Sequence, residues 1–212
     1  VPTSILLALV LAYILNNKVY CRKLLRMAFF IPYISSAVAL AAVFKFMFRD
    51  DGVINSILLA LGIKNPPQWF VSLQLNKIPI IVMVIWTAVG YELVIYMSAL
   101  QSVPTSLYEA ADIDRATGVQ KFFYITLPMV SPTTFYLVIV RMIAVFKIFS
   151  SVNIMTMGSP SYANTSMVVE IYGNAFGSYK FGYAAAQSMV LFVLILVITL
   201  LNFWGQKKWV HY

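Results

Sequence analysis

Four charged residues, Lys45, Glu92, Arg141 and Lys147, lie within or at the ends of long apolar runs. A charge near the centre of a bilayer costs about 2.5–3.5 kcal/mol on insertion scales, so such residues are functional candidates by default. A Glu92–Arg141 or Glu92–Lys147 pair would lower the cost of both members. The same side chains could instead meet a substrate, and the sequence leaves the two roles open. Lys45, with Arg49 four residues on, can snorkel to an interface and anchor its helix there. Catalysis has little to draw on. The one cysteine, Cys21, cannot form an intrachain disulfide, and the one histidine, His211, has no acidic neighbour. There is no glycine-rich phosphate loop and no metal-ligand spacing, so the sequence offers no catalytic residue, no metal site and no bound cofactor.

The elements that carry these charges must be membrane spans. Of 212 residues, 61% are hydrophobic and 10% charged, whereas soluble domains average about 25% charged residues. Apolar runs long enough to cross a bilayer end near Leu15 and cover about 27–48, 78–100, 131–151 and 183–204. Each is too long for a strand, so the predicted class is all-α, a polytopic membrane protein with five visible spans. Val1 opens inside an apolar run without a methionine or a signal peptide, so a sixth span is expected before it.

The net charge of +8 is spread between the spans rather than along one solvated face, which suits a positive-inside bias and argues against nucleic acid. Lys18, Arg22, Lys23, Arg26, Arg115, Lys121, Lys207 and Lys208 fall on one side. Arg49, Lys64, Lys77 and Lys180 fall on the other. The first side is expected to be cytoplasmic, with the C-terminus inside. The outer segments 49–77 and 152–182 read as compact caps, and Trp69, Trp204 and Trp209 fall at predicted interfaces. Asn164-Thr165-Ser166 is formally a glycosylation sequon, read as chance. No internal repeat is visible.

Residues 101–128 read as helix, turn, helix. Ser106 and Glu109 match a capping box, acidic residues crowd the first turns, Gly118 is a helix stop, and Pro128 separates the loop from the next span. Leu107, Ala110, Ala111 and Ile113 form a narrow apolar face. That face suits either docking into a groove of another protein or lying on the membrane surface.

Glu109-Ala110-Ala111, with Ile125-x-Leu127-Pro128 downstream, resembles the EAA loop of binding-protein-dependent ABC importer permeases. Further strings resemble the maltose- and multiple-sugar-type branch: Leu100 to Pro104, Phe30-x-Pro32, Gly52-x-x-Asn55, Met155-Thr156-x-Gly158-x-Pro160, Gly182-Tyr183-Ala184 and the closing Lys208 to Tyr212. The resemblance implies one type I importer transmembrane domain over 1–212, with 101–128 as the cytoplasmic coupling loop. It also implies a second permease subunit, two ATPase subunits that hold ATP and Mg, an extracytoplasmic solute-binding protein, and the cell membrane of a prokaryote. Glu109, Ala110, Ala111, Asp114, Arg115, Gly118, Ile125, Leu127 and Pro128 are the expected ATPase-coupling residues. The family usually has glycine where this chain has Arg115. Either the turn has slipped toward Gly118, or Arg115 keeps a helical backbone with Asp112 as its partner.

The resemblance also places a substrate pathway. In maltose-type permeases the sugar contacts come from the spans flanking the EAA loop, which here implies Tyr91, with Thr87 and Ala88 one turn earlier, on one and Arg141, Ala144, Val145 and Ile148 on the other; Glu92, beside Tyr91, joins the candidate pathway residues by its charge. The family's polar contacts on the second span are not kept. Aromatic faces and polar edges suit a carbohydrate, while two cations would suit a glycerol phosphate or another polyol phosphate. The expected function is a sugar or oligosaccharide importer permease. An ATP-independent secondary transporter is the alternative class, and such folds show internal repeats. By helical rise, Glu92 and Arg141 lie about 25 and 20 Å from the loop, at comparable depth.

Overall fold

Apolar runs this long must satisfy their backbone groups internally, and helices do so segment by segment. A computed structural model of the chain describes residues 1–16, 20–72, 74–156 and 165–206, and these form helices and no strand. In order they are α1 (Pro2–Asn16), α2 (Arg22–Ile34), α3 (Ala37–Met47), α4 (Val53–Ala60), α5 (Ile78–Ser102), α6 (Thr105–Ile113) and α7 (Gly118–Lys121). A π-helical stretch, Phe122–Thr126, then leads into α8 (Leu127–Met129) and α9 (Ser131–Phe146). Next come α10 (Ser150–Thr156), α11 (Met167–Tyr172), a second π-helical stretch Gly173–Gly177, and α12 (Phe181–Gly205). Lys18, Gly158, Pro160, Asn164 and the tail from Lys207, with Trp209 and His211, lie outside the described residues.

Among the described residues only α5 and α12, each 25 residues long, are by themselves long and apolar enough to span a membrane. The expected span 27–48 is two helices instead. Pro32 removes a backbone donor inside α2, and Ser36 accepts from Ala39 N to start α3, so the helix is broken at Ser35–Ser36. The expected span 131–151 ends at Phe146, and Ser150 begins a separate helix. Counting each bent pair as one crossing gives up to four, with the 15-residue α1 as a shorter apolar helix beside them.

The chain divides into two compact units. The first comprises 1–33, 87–143 and 196–212, the second 34–86 and 144–195. In the first, α1 buries Ser4, Ile5, Ala8, Leu9, Ala12 and Leu15, one stripe at helical spacing. On α5 the buried residues include Ala88, Val89, Glu92, Leu93, Tyr96 and Met97. Two contacts fix the neighbours of α5. Tyr96 Oη donates to Thr134 Oγ1 of α9 at 2.9 Å. A Cβ on Gly90 would stand 2.0 Å from the Phe29 carbonyl oxygen of α2, so only glycine permits that approach.

The second unit has its own core of Ala41, Phe44, Phe48, Met83 and Met155, with Trp69 and Phe70 packed on it. Its segment 49–69 is stitched by Asn55, whose side chain donates to the carbonyls of Asp50 and Pro67 and accepts from Trp69 Nε1 at 2.7 Å. That is the physical content of the Gly52-x-x-Asn55 string. Lys45 is held from within the same unit. Its ammonium donates to the Ile154 carbonyl at 3.0 Å, near the end of α10, where free carbonyls and the helix dipole favour a cation.

Candidate functional site

The loop that carries the coupling string is a hairpin of two short helices, built differently from the sequence expectation. Ser106 and Glu109 form no capping box. Pro104 precedes α6 without a side-chain cap, and Glu109 sits exposed beyond the first turn. The capping box belongs to α7, where Thr117 accepts from Gln120 N and the Gln120 side chain accepts from Thr117 N at 2.7 Å. Gly118 therefore starts a helix rather than stopping one. Arg115 neither keeps a helical backbone nor passes the turn to Gly118. It adopts the left-handed conformation itself, with φ +56°. Ala116 N then bonds the Ala111 carbonyl at 2.9 Å, closing α6 by the turn that usually uses glycine. Asp112 pairs with Lys121, not with Arg115.

After the hairpin, the π-helical stretch ends at Thr126, two residues before Pro128. Leu127 N bonds the Phe122 carbonyl five residues back, a register that accommodates a proline ring and a missing donor. Tyr108 Oη of α6 lies 2.9 Å from Thr126 Oγ1, which is wholly buried in that stretch. Tyr13 of α1 stacks edge-on to Phe122 at 5.0 Å. The bend into α9 comes at Val130, two residues past Pro128, and measures 64°. Ala110, Asp114 and Arg115 are exposed, while Ala111, Ile125, Leu127 and Pro128 are partly covered. Leu107, Ile113, Val119 and Tyr124 present exposed apolar surface, Ile113 at 83%.

The second cluster lies deeper on α5. Glu92 is wholly buried, and its Oε1 stands 2.9 Å from Arg141 Nε of α9 and accepts from Ser4 Oγ of α1 at 3.1 Å. The guanidinium contact is a close ion pair rather than an aligned hydrogen bond at Nε, and Glu92 Oε2 has no hydrogen-bond partner among the described residues. Of the two pairings open to Glu92, the structure has the one with Arg141. Beside it, Tyr91 stacks on Tyr33 of α2, with centroids 4.9 Å apart and rings tilted by 22°, and its hydroxyl meets that of Tyr136 at 3.2 Å.

Tyr33, Tyr136 and Ser4 are the residues that sequence reasoning missed. Tyr33 lies next to the Phe30-x-Pro32 string, the one signal that pointed there. Thr87 is half-buried, and Ala88 is 1% exposed and serves packing. Ala144, Val145 and Ile148 fall in the second unit. There Val145 is exposed on the last turn of α9, and Ile148, beyond the helix end, accepts through its carbonyl from Ser166 Oγ at 2.7 Å.

The chain is similar along nearly its whole length to known transport proteins. It is 36% identical to the lactose transport system permease protein of Rhizobium radiobacter, over 98% of this chain and 72% of that one. It is 32% identical to the sn-glycerol-3-phosphate transport system permease protein of Agrobacterium fabrum, over 97% and 70%. Among solved structures, a bacterial ABC transporter involved in the import of the acidic polysaccharide alginate superposes with a TM-score of 0.84 at 26% identity, covering 98% of this chain and 72% of that chain. A family model matches residues 4–209. The chain belongs to the family of binding-protein-dependent transport system inner membrane components.

Proposed function

We propose that the chain forms half of the translocation pathway of an ATP-driven carbohydrate importer in a prokaryotic cell membrane. Its 101–128 loop docks on a separate ATPase that holds ATP and Mg. The observation that carries this reading is the hairpin Thr105–Lys121, exposed at its tip yet tied to its stem by Tyr108–Thr126 and Asp112–Lys121. Apolar residues such as Ile113 and Val119 lie bare on a surface that a partner groove would cover. A bare tip on a braced stem is what force transmission needs. The partners on this reading are a second permease, an ATPase homodimer and an extracytoplasmic binding protein, with the C-terminus in the cytoplasm. The full-length protein, tagged and purified from its native membrane, should bring down the ATPase and a second permease. Recovery only as a self-oligomer that transports without ATP would end the reading in favour of a secondary transporter.

Carbohydrate as the substrate class is supported by the lactose relative and by the stacked Tyr33–Tyr91 pair with the Tyr136 hydroxyl beside it. Flat aromatic faces with a polar edge suit sugar rings. A second reading, transport of a polyol phosphate or an acidic sugar, is favoured by Arg141 on α9 together with the glycerol-phosphate and alginate relatives.

A further inference from the structure

Helices α1, α5 and α9 contain only two charged residues between them, Glu92 and Arg141, and both belong to the same ion pair. Glu92 is wholly buried behind Arg141, whose side chain keeps 14% of its surface open. The carboxylate is also held by Ser4, and its position is fixed from the α1 side. An anion that reached Arg141 would find the guanidinium already neutralised. It would also meet a like charge about one hydrogen-bond length behind the guanidinium, in surroundings where charges are weakly screened. Neutral hydroxyls face no such opposition, and the adjacent tyrosine cluster supplies their polar edge.

We infer that Glu92 is a specificity-determining residue: by holding Arg141 in a buried ion pair it sets this pathway for uncharged rather than phosphate- or carboxylate-bearing substrates. The inference rests on the reading of α5 and α9 as walls of the pathway. It assigns Glu92 a role through Arg141, with no direct contact to substrate.

The test uses the complete transporter in nanodiscs without its binding protein, so that the permease alone sets the result. Saturation-transfer NMR compares glycerol with sn-glycerol 3-phosphate, a pair that differs only by the phosphate, and lactose is run as the carbohydrate probe. Wild type should bind the phosphate ester no better than glycerol. Glu92→Gln should bind it at least about tenfold better, and Glu92→Gln/Arg141→Gln should lose that gain. Wild-type binding of the phosphate ester that Arg141→Gln abolishes would overturn the inference, and so would an intact Glu92→Gln complex with no gain. Should Glu92→Gln fail to assemble, wild type is compared with the double variant, which leaves no charge unpaired. Equal, weak binding of the phosphate ester then supports the inference, and a loss in the double variant overturns it. The carbohydrate reading is separable. It predicts a lactose signal that Tyr91→Ala diminishes, and its absence alongside a phosphate gain in Glu92→Gln would end that reading and keep the charge assignment.

Discussion

Arg115 holds a left-handed backbone conformation that costs an L-residue roughly 1–2 kcal/mol, where a helix-ending turn favours glycine. Arg115→Gly should relieve the strain and raise the thermal stability of the full-length complex by about 1 kcal/mol at the hairpin. Arg115→Val, β-branched at positive φ, should lower it, and a thermal-shift series of the two variants reads the difference. Glu92 and Arg141 obey a different rule. Removing one partner of a buried pair strands the other charge, typically at about 3–5 kcal/mol. Glu92→Gln and Arg141→Gln should each reduce assembly on size exclusion, and the double variant should recover part of the loss. Additive losses would show that the pair is not coupled. That Glu92 and Arg141 lie at comparable depth on the flanking spans was legible in the sequence, but that they pair, rather than Glu92 with Lys147 or either with substrate, was not. The third member, Ser4, was not, because a serine in an apolar run carries no signal until its neighbour is known. Nor was Arg115's conformation, since sequence shows the missing glycine and not which residue accepts the strain.

At the scale of elements, length and apolar character exposed the crossings, and local chemistry redrew their ends. Pro32 with Ser36 broke one expected span, and the bend at Val130 set the start of another. The expected capping box failed for a physical reason. Pro104 already fixes the entry to α6, which leaves Ser106 and Glu109 inside the helix rather than at its cap. The hairpin is linked from α6 through Tyr108 and Thr126 into the π-helical stretch and on to α9. On the proposed function, Tyr108→Phe removes that hydrogen bond, a loss of about 1 kcal/mol, and should lower substrate transported per ATP hydrolysed while leaving membrane insertion normal. Glu109→Lys, exposed on the same helix, should abolish ATPase stimulation by reversing a charge on the docking surface, with the fold intact. Unchanged transport stoichiometry in Tyr108→Phe would separate the clamp from the coupling. The crossing of α2 and α5 tests differently, because Gly90→Ala must push the Phe29 backbone aside. A cost of about 1–3 kcal/mol is expected for such overpacking, read as a lower melting temperature.

For the whole molecule, we propose an orientation from the positive-inside rule, with eight basic residues on one side and four on the other. On that proposal the segment between α1 and α2 faces the cytoplasm, together with the hairpin. That segment carries the only cysteine of this sequence, Cys21, and it is exposed. The chain therefore contains its own topological label. With any cysteine outside these 212 residues replaced, a membrane-impermeant maleimide should leave Cys21 unmodified in right-side-out vesicles and modify it in inverted ones. Moving the thiol across the bilayer, by Cys21→Ser with Ser178→Cys on an exposed position before α12, should reverse the pattern. Labelling of Cys21 from outside would place the hairpin on the wrong face for an ATPase, and the proposed function would fall with it. Labelling from both sides would mean mixed insertion, the outcome expected when the charge bias no longer decides orientation. Neutralising Arg22, Lys23 and Arg26 together should move wild-type behaviour toward that mixture, because they are three of the four basic residues between Asn16 and Arg26. If orientation survives their removal, the bias resides in the hairpin and the tail, and the α1–α2 turn is only carried along.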